Sequence, residues 1–207
     1  MKHIRQLDML TQKFELLAKD LGFDNLAICD AKVRFDKKTY VDWIEKKFNG
    51  SMAYLEKNIG MRLEPKRIRP STNSIICVTA NYLTKSLSEM MNELQNNKKG
   101  YISNYATGRD YHKIIRKQLV KLAKKIEEEI GPSGYRVFTD SAPIYEKPLA
   151  SYAGLGWIGK NTLLINKAAG SFFFLGEIFT DLKLPAESNK IADLCGTCTN
   201  CIDICPT

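Results

Sequence analysis

Four of the six cysteines lie within eleven residues, at Cys195, Cys198, Cys201 and Cys205, and a proline follows the last of them. The spacing Cys-x-x-Cys-x-x-Cys-x-x-x-Cys-Pro is that of the bacterial ferredoxin run, whose fourth cysteine ligates the other cluster in two-cluster proteins. Tight turns between the first three cysteines aim three thiolates at the corners of one cube. The run therefore predicts a 4Fe–4S-binding segment at this end of the sequence.

Zinc is the competing interpretation, because four cysteines also form a common zinc site. Zinc ligands usually come as two separated Cys-x-x-Cys pairs, which fits this run poorly. A second cluster would need more clustered cysteines, whereas Cys29 and Cys77 stand singly in apolar runs and are expected to be small core residues. We therefore expect either a fragment of a longer protein or a second polypeptide that supplies the missing ligands.

The composition is that of an ordinary globular protein with a basic surface. The 207 residues carry a formal charge of +8, which favours an anionic partner such as nucleic acid or a phosphorylated cofactor, although solubility alone could explain it. No apolar run approaches the ~20 residues of a membrane-spanning helix, and the first residues lack a signal-peptide core. A cytoplasmic protein without a membrane partner is expected.

Hydrophobic periodicity predicts a mixed α/β sandwich. Helical spacing covers residues 4–21, 39–48 and 111–130, and apolar runs predict strands at 26–29, 74–80, 135–139 and 171–180, the second of them central. Residues 60–74 and 96–100 are expected to be loops, and glycines mark a tight loop at 154–159. Strands that alternate with helices favour an α/β body over residues 1–184, followed by the cluster segment at 185–207.

Several motifs follow one another in a specific order. They are GSMAYLE at 50–56, Arg62, YATGRDYHK at 105–113, DSAP at 140–143, AGLGWIGKN at 153–161, GSFFFLGE at 170–177 and the cysteine run. In order and spacing the chain resembles the epoxyqueuosine reductases, cobalamin-dependent iron–sulfur enzymes that complete queuosine in transfer RNA. The resemblance runs from the first helix to the last residue.

The resemblance implies a nitroreductase-like, cobalamin-binding α/β body followed by a ferredoxin-like module with two 4Fe–4S clusters. Members of the family usually continue past the last position of this sequence. The implied reaction reduces epoxyqueuosine to queuosine at the wobble position of tRNA. Electrons from a donor such as flavodoxin or ferredoxin would pass through the clusters to cob(II)alamin, and a monomer is expected.

Asp140 is the candidate catalytic residue. It follows an apolar strand and precedes Ala142-Pro143, so we expect the strand end to aim it into a cleft. The residues alone also allow a turn-capping role. The resemblance implies a proton donor, because losing an epoxide oxygen as water consumes protons and two electrons. Burial near the corrin would keep such a carboxyl protonated.

The glycine-rich loop is the other candidate contact with the cofactor. Its glycines allow close backbone approach, Trp157 can stack on a flat macrocycle, and Lys160 and Asn161 can bond amide or phosphate groups. A structural turn with Trp157 in the core is the alternative. The cofactor-binding residues expected from the motifs are Arg62, Tyr105, Asp140, Trp157, Gly159, Lys160, Asn161 and Ser171.

The long helix carries a basic side whose role is open. Its residues are Lys113, Arg116, Lys117, Lys121, Lys124 and Lys125. They could track RNA phosphates, but an ordinary solvated helix face is preferred for most of them. His112 is expected to be a surface residue rather than a metal ligand. The competing functions are an iron–sulfur electron-transfer scaffold, a reductive-dehalogenase-like corrinoid enzyme and a zinc-binding RNA module.

Overall fold

The middle layer of the protein is a four-stranded antiparallel sheet. The computed structural model describes residues 2–186 and 191–206, with side chains from residue 9 onward. The sheet strands are β1 (Asn25–Asp30), β2 (Ser74–Asn81), β3 (Tyr135–Phe138) and, after two short strands, β6 (Phe173–Thr180). Their spatial order is β1-β2-β6-β3, and all three pairings are antiparallel. The long β2 and β6 strands therefore lie at the centre of the sheet, as the sequence predicts for β2.

Helices and a small hairpin surround the sheet. The helices are α1 (Lys2–Asp20), α2 (Lys37–Glu45), α3 (Ile59–Leu63), α4 (Leu87–Leu94), α5 (Tyr111–Ile130), α6 (Glu146–Tyr152) and α7 (Asn200–Asp203). The hairpin pairs β4 (Trp157–Ile158) with β5 (Leu164–Ile165). Single 3₁₀ turns occupy Ala53–Leu55, Pro65–Arg67 and Asn104–Ala106. Within the described residues, no helix has both the length and the apolar character that crossing a bilayer requires.

One face of the sheet is covered by α1 and α5. The apolar stripe of α5 packs onto Ile76, Val78 and Ile178 of the central strands, and Phe14 of α1 completes this cluster. At Gly176 of β6 the helix approaches closely: a Cβ there would lie 3.0 Å from Leu119 Cδ1. Because Gly176 has no side chain, α5 can lie this close to the sheet.

The opposite face carries α6 and the hairpin. Its buried residues include Ile75 and Cys77 from β2, Phe179 from β6 and Leu149 from α6. Because helices cover both faces, β2 is buried from Ser74 to Ala80 and reads as a continuous apolar run. The mixed α/β sandwich predicted from the sequence is confirmed, and Cys29 and Cys77 are core residues as expected.

The sequence predictions miss or misplace several short elements. The helix expected at 39–48 spans Lys37–Glu45, because Lys47 takes a left-handed φ of 58° that ends it. The loop expected at 60–74 contains most of α3, and neither α4 nor α6 was expected. The missed α4 does begin with a recognisable capping box, in which Ser86 and Glu89 bond each other's backbone.

Candidate functional site

The loop after β3 holds Asp140 in an unusual backbone conformation. The strand is tied to β6 at its end, where Thr139 Oγ1 donates to the Leu175 carbonyl at 2.9 Å. Asp140 then takes a φ of 53°, in the left-handed region where aspartate is one of the few tolerated residues. Its backbone N–H donates to Glu146 Oε1 at 2.6 Å. A side chain at the start of α6 therefore fixes the conformation of this loop.

The first turn of α5 supplies the partners of the Asp140 carboxylate. Tyr111 Oη donates a hydrogen bond to Asp140 Oδ2, and His112 Nε2 lies 3.4 Å from the same oxygen. Asp110 caps the helix by accepting from the His112 backbone N–H at 3.0 Å, and its carboxylate lies 3.0 Å from His112 Nδ1. That hydrogen bond with the His112 side chain lowers the pKa of Asp110. The imidazole thus stands between two carboxylates.

Tyr111 is held in place by aromatic stacking. Its ring lies parallel to Phe174 of β6, with centroids 4.1 Å apart and a 5° interplanar angle, and stacks on His112 at 4.0 Å. Burial, followed by the hydrogen bond to Asp140, raises the pKa of Tyr111. The phenol therefore keeps its proton and acts as a fixed donor toward Asp140.

Two acidic side chains lie beneath the Asp140 loop. Burial raises the pKa of Glu146 to about 7, and the nearby Asp140 carboxylate adds to the effect. Glu177, on β6, is fully buried, and among the described residues no donor other than Glu146 bonds its carboxyl oxygens. Burial raises the pKa of Glu177 well above its usual range, and the Glu146 carboxylate raises it further. Glu177 is therefore the fully buried acid of this region, and Glu146 is a partly buried one.

The Asp140 carboxyl is itself open to solvent. Its side chain is 57% exposed, so the fold of this chain does not by itself bury the acid. The turn-capping alternative fails to describe its contacts, which are with Tyr111 and His112 of α5. An exposed carboxyl with fixed neighbours is suited to meeting a ligand that arrives from outside the fold.

Two cavities lie on either side of the Tyr111–His112 pair. One, of about 370 Å³, is lined by aromatic and polar groups that include Tyr82, Tyr105 and Phe174. The other, of about 310 Å³, runs past Thr139 and Ser141 and is bordered by Arg116 and Arg136. Each falls in the range of small-ligand pockets, ~300–1,000 Å³, and neither alone encloses a corrin-sized macrocycle.

The cysteine segment docks onto the glycine-rich loop. Trp157 Nε1 donates to Cys195 Sγ at 3.4 Å, and Lys160 Nζ donates to the Gly196 and Cys198 carbonyls at 2.8 and 2.9 Å. Cysteine thiols at this spacing are the type of ligand that an iron–sulfur cluster requires. Among the described residues, however, no three His, Cys, Asp or Glu side chains converge as a metal site. Trp157 and Lys160 are engaged with the cysteine segment itself.

The remaining expected cofactor residues lie in four places. Arg62, in α3, donates to the Tyr54 carbonyl at 3.4 Å, while its Nε is buried without a partner among the described residues. Tyr105 is half exposed beside the larger cavity. Asn161 accepts from the Leu163 N–H at 3.1 Å, which shapes the β4–β5 turn. A Cβ at Gly159 would overlap Ile165, and Ser171 lies just before β6.

The sequence analysis assigned no role to three residues of the site. Tyr111 and Glu177 lie within quoted motifs but were not singled out, and Glu146 carried no visible signal. Glu177 did carry one, since it is a lone acid in the run Phe173–Thr180 that is otherwise apolar or small. An acid at a position that must be buried deserves a functional explanation.

The chain matches known proteins over nearly all of its length. A family model described as "Epoxyqueuosine reductase QueG, DUF1730" matches residues 62–141. The epoxyqueuosine reductase of Aliivibrio fischeri is 46% identical over 198 residues, which is 96% of this chain and 53% of the relative. That of Pseudomonas aeruginosa is 43% identical, over 96% of this chain and 55% of the relative. The chain thus spans about half the length of the curated relatives it matches.

Solved epoxyqueuosine reductase structures share the fold of this chain. The epoxyqueuosine reductase of Streptococcus thermophilus is 30% identical with a TM-score of 0.75, covering 95% of this chain and 52% of that one. An epoxyqueuosine reductase bound to an epoxyqueuosine-modified tRNA stem loop shares the fold, with a TM-score of 0.78 at 24% identity, over 97% of this chain and 52% of that one. A reductive dehalogenase is a more distant fold neighbour, with a TM-score of 0.60, 16% identity and coverage of 93% and 24%.

Proposed function

We propose that this chain, which is similar to the epoxyqueuosine reductases over nearly all of its own length, forms the catalytic body of an enzyme that reduces epoxyqueuosine to queuosine at the wobble position of tRNA. The observation that carries the proposal is Asp140. It is an exposed acid on a constrained loop, hydrogen-bonded by Tyr111, which lines one cavity, and flanked by His112, which lines the other.

The proposed chemistry assigns a proton to Asp140. Converting an epoxide to an alkene breaks two C–O bonds and releases the oxygen as water, which takes two electrons and two protons. Asp140 protonates the departing oxygen. Tyr111 orients the Asp140 carboxyl through its hydrogen bond, and Glu146 holds the loop through the Asp140 N–H.

Two cofactors complete the proposal. Cobalamin, reduced from the cob(II)alamin state, supplies the low-potential electron pair, and the aromatic and amide groups around the two cavities, Tyr105 among them, are of kinds that hold such a ring. Cys195, Cys198, Cys201 and Cys205 are proposed to hold 4Fe–4S iron. We also propose a catalytic domain over residues 1–184 and a cluster segment over 185–207, joined through Trp157 and Lys160.

The partners follow from charge and from the family. The relative that was solved with an epoxyqueuosine-modified tRNA stem loop supports tRNA as the substrate of this chain. The formal charge of +8 favours an RNA partner, and Arg116 and Arg136 border the cavity beside Asp140. We propose a cytoplasmic monomer that takes electrons from a flavodoxin or ferredoxin.

Anaerobic reconstitution tests the proposal. The protein that carries this chain is purified without oxygen, given hydroxocobalamin, and desalted. We expect a retained corrin spectrum and, with a reductant and epoxyqueuosine-modified tRNA, queuosine in the nucleoside digest. Loss of the corrin would favour the electron-transfer scaffold, and turnover of aryl halides but not of tRNA would favour the dehalogenase. Zinc in place of iron would favour the zinc-binding module.

A pair of variants then tests Asp140 itself. Asp140→Asn preserves shape but cannot donate the proton, so kcat/KM should fall by ~10²–10⁴, the usual contribution of a general acid. Asp20→Asn, at the end of α1, is the matched control and should act like the wild type. Equal activity of Asp140→Asn and wild type, with corrin retained in both, refutes the assignment.

A further inference from the structure

We propose that Glu146 and Glu177 form a buried carboxyl pair that stores the second proton of the reaction and passes it to Asp140. The inference rests on the proposed function, which needs two protons while Asp140 holds at most one. Both residues act through Asp140 and are positioning residues that hold a proton. They do not touch the substrate.

Glu177 lies in a buried environment that disfavours its ionised form. It lies in the middle of β6, opposite Cys77 on one side and Phe138 on the other, and it is 0% exposed. Among the described residues, no donor outside the pair itself bonds its carboxyl oxygens. An ionised carboxylate in such a place costs several kcal/mol or more, and a buried acid avoids that cost by keeping its proton. Glu177 is therefore the neutral member of the pair at neutral pH.

Glu146 connects Glu177 with the surface loop. It is the first residue of α6, it is partly buried, and its Oε1 accepts from the Asp140 N–H at 2.6 Å. The Glu146 and Glu177 carboxyls perturb one another, and burial raises the pKa of Glu146 to about 7. Two neighbouring buried carboxyls do not both ionise near neutrality, so their protons belong to the pair.

The groups around the pair favour retention of that proton. From α5, Tyr111 is a neutral phenol and His112 is the nearby basic side chain; Asp140 adds negative charge from the loop. From the sheet, Cys29 and Cys77 face the pair. The hydrogen bond with Cys29, together with burial, raises the pKa of Cys77 well above its usual range, so that Cys77 stays a neutral thiol. Negative and neutral neighbours thus predominate.

The proton balance gives the pair its role. Bound cobalamin would supply the two electrons. One proton from Asp140 accounts for opening of the epoxide to a hydroxyl group, and a second proton is needed for that hydroxyl to leave as water while the C=C bond forms. Glu146 bonds the backbone N–H of Asp140 and not its carboxylate, so the proton of the pair reaches the ionised, exposed Asp140 carboxylate through water at the loop surface. Solvent then restores the proton of the pair after product leaves.

Infrared spectroscopy tests the stored proton without any turnover. At pH 7 the wild-type protein should show the C=O stretch of a protonated carboxylic acid that is shielded from deuterium exchange. Glu177→Gln should weaken this band, Glu177→Gln combined with Glu146→Gln should remove it, and Glu128→Gln, an exposed glutamate on α5, should retain it. Absence of the band in the wild type, or its persistence in the double variant, overturns the proposal.

Kinetics test the transfer. Glu177→Gln should leave the KM for tRNA and the retained corrin unchanged, lower kcat above pH 7 by about tenfold or more, and move the alkaline limb of the pH profile to lower pH. Glu146→Gln, which can still accept from the Asp140 N–H, should lower kcat across the profile. An unchanged profile in both variants of an active enzyme refutes the relay. If the wild type does not reduce epoxyqueuosine, the proposed function fails, and the infrared band still decides whether the pair holds a proton.

Discussion

The close packing of α5 on β6 predicts that Gly176→Ala lowers the stability of the wild-type protein but raises the stability of a Leu119→Ala variant. At Gly176 an added Cβ would lie 3.0 Å from Leu119 Cδ1 and 3.1 Å from Ile115 Cγ2. Leu119 is 0% exposed, so its side chain has little room to yield. Overpacking of this kind costs ~1–3 kcal/mol, and replacing glycine by alanine in an ordinary backbone conformation returns ~0.4–1 kcal/mol of unfolded-state entropy. Gly176→Ala should therefore destabilise the wild type by about 1 kcal/mol.

Removing the leucine should reverse that result. Leu119→Ala alone leaves a cavity against the sheet and should cost ~3 kcal/mol, within the usual range of ~2–5 kcal/mol for buried leucines. In that background both Leu119 carbons near the added Cβ, at 3.0 and 3.4 Å, are gone, Ile115 Cγ2 has the vacated space to yield into, the new methyl group fills part of the void, and the entropy gain remains. Gly176→Ala should then stabilise the protein by about 0.5–1 kcal/mol.

A double-mutant cycle measures the effect. Urea unfolding of the wild type, the two single variants and the double variant, followed by circular dichroism, gives four free energies of unfolding. The expected coupling between the two sites is about 1.5–2 kcal/mol, which is within the range for residues in contact. If Gly176→Ala costs the same in both backgrounds, the account of α5 resting directly on Gly176 is wrong.

Three other predictions concern the site. Tyr111→Phe keeps the stacking on Phe174 but loses the donor to Asp140, so kcat should fall several-fold with the unfolding free energy within ~1 kcal/mol of wild type, measured by single-turnover assays and urea unfolding. Lys160→Met removes two hydrogen bonds to the cysteine segment, and the reconstituted protein should lose iron faster to a chelator than Lys167→Met does. The raised pKa of Glu177 means that the folded state binds a proton that the unfolded state releases, so the stability of the wild type falls as the pH rises above the unfolded-state pKa. Glu177→Gln should flatten this decline between pH 5 and 8 by up to ~1.4 kcal/mol per pH unit, measured by urea unfolding at each pH. Parallel stability curves for the variant and the wild type would contradict a neutral Glu177.

The large elements could be predicted because burial leaves a clear pattern in the sequence. The stripe of α5 and the unbroken apolar run of β2 follow directly from which faces pack. The short helices α3 and α6 could not be predicted, since five to seven residues hold too little periodicity to distinguish them from turns. Their positions depend on tertiary contacts, such as Leu149 of α6 packing under the sheet.

The site was predictable where a residue follows a strand end and not where contacts come from distant segments. Asp140 could be singled out from its position after β3. The local sequence does not predict that Trp157 and Lys160 contact the cysteine segment, because those contacts join residues more than thirty positions apart. The expectation that these two residues contact a cofactor stays a prediction, and the structure adds that they also join the body to the proposed cluster segment.

The buried carboxyl of Glu177 shows that the requirements of core packing and of function act on the same strand. Every other side chain from Phe173 to Thr180 is apolar or small and supports the core, whereas Glu177 weakens it, because a hydrophobic residue of similar volume would fill the same space without desolvating an acid. The neighbouring Cys77 and Phe138 offer Glu177 no compensating charge. An acid in this position is best explained by what it does for Glu146 and Asp140, so substituting Glu177 by leucine should raise stability at pH 8 while it lowers turnover. A leucine variant that is both less stable at pH 8 and fully active would mean that Glu177 serves the fold alone.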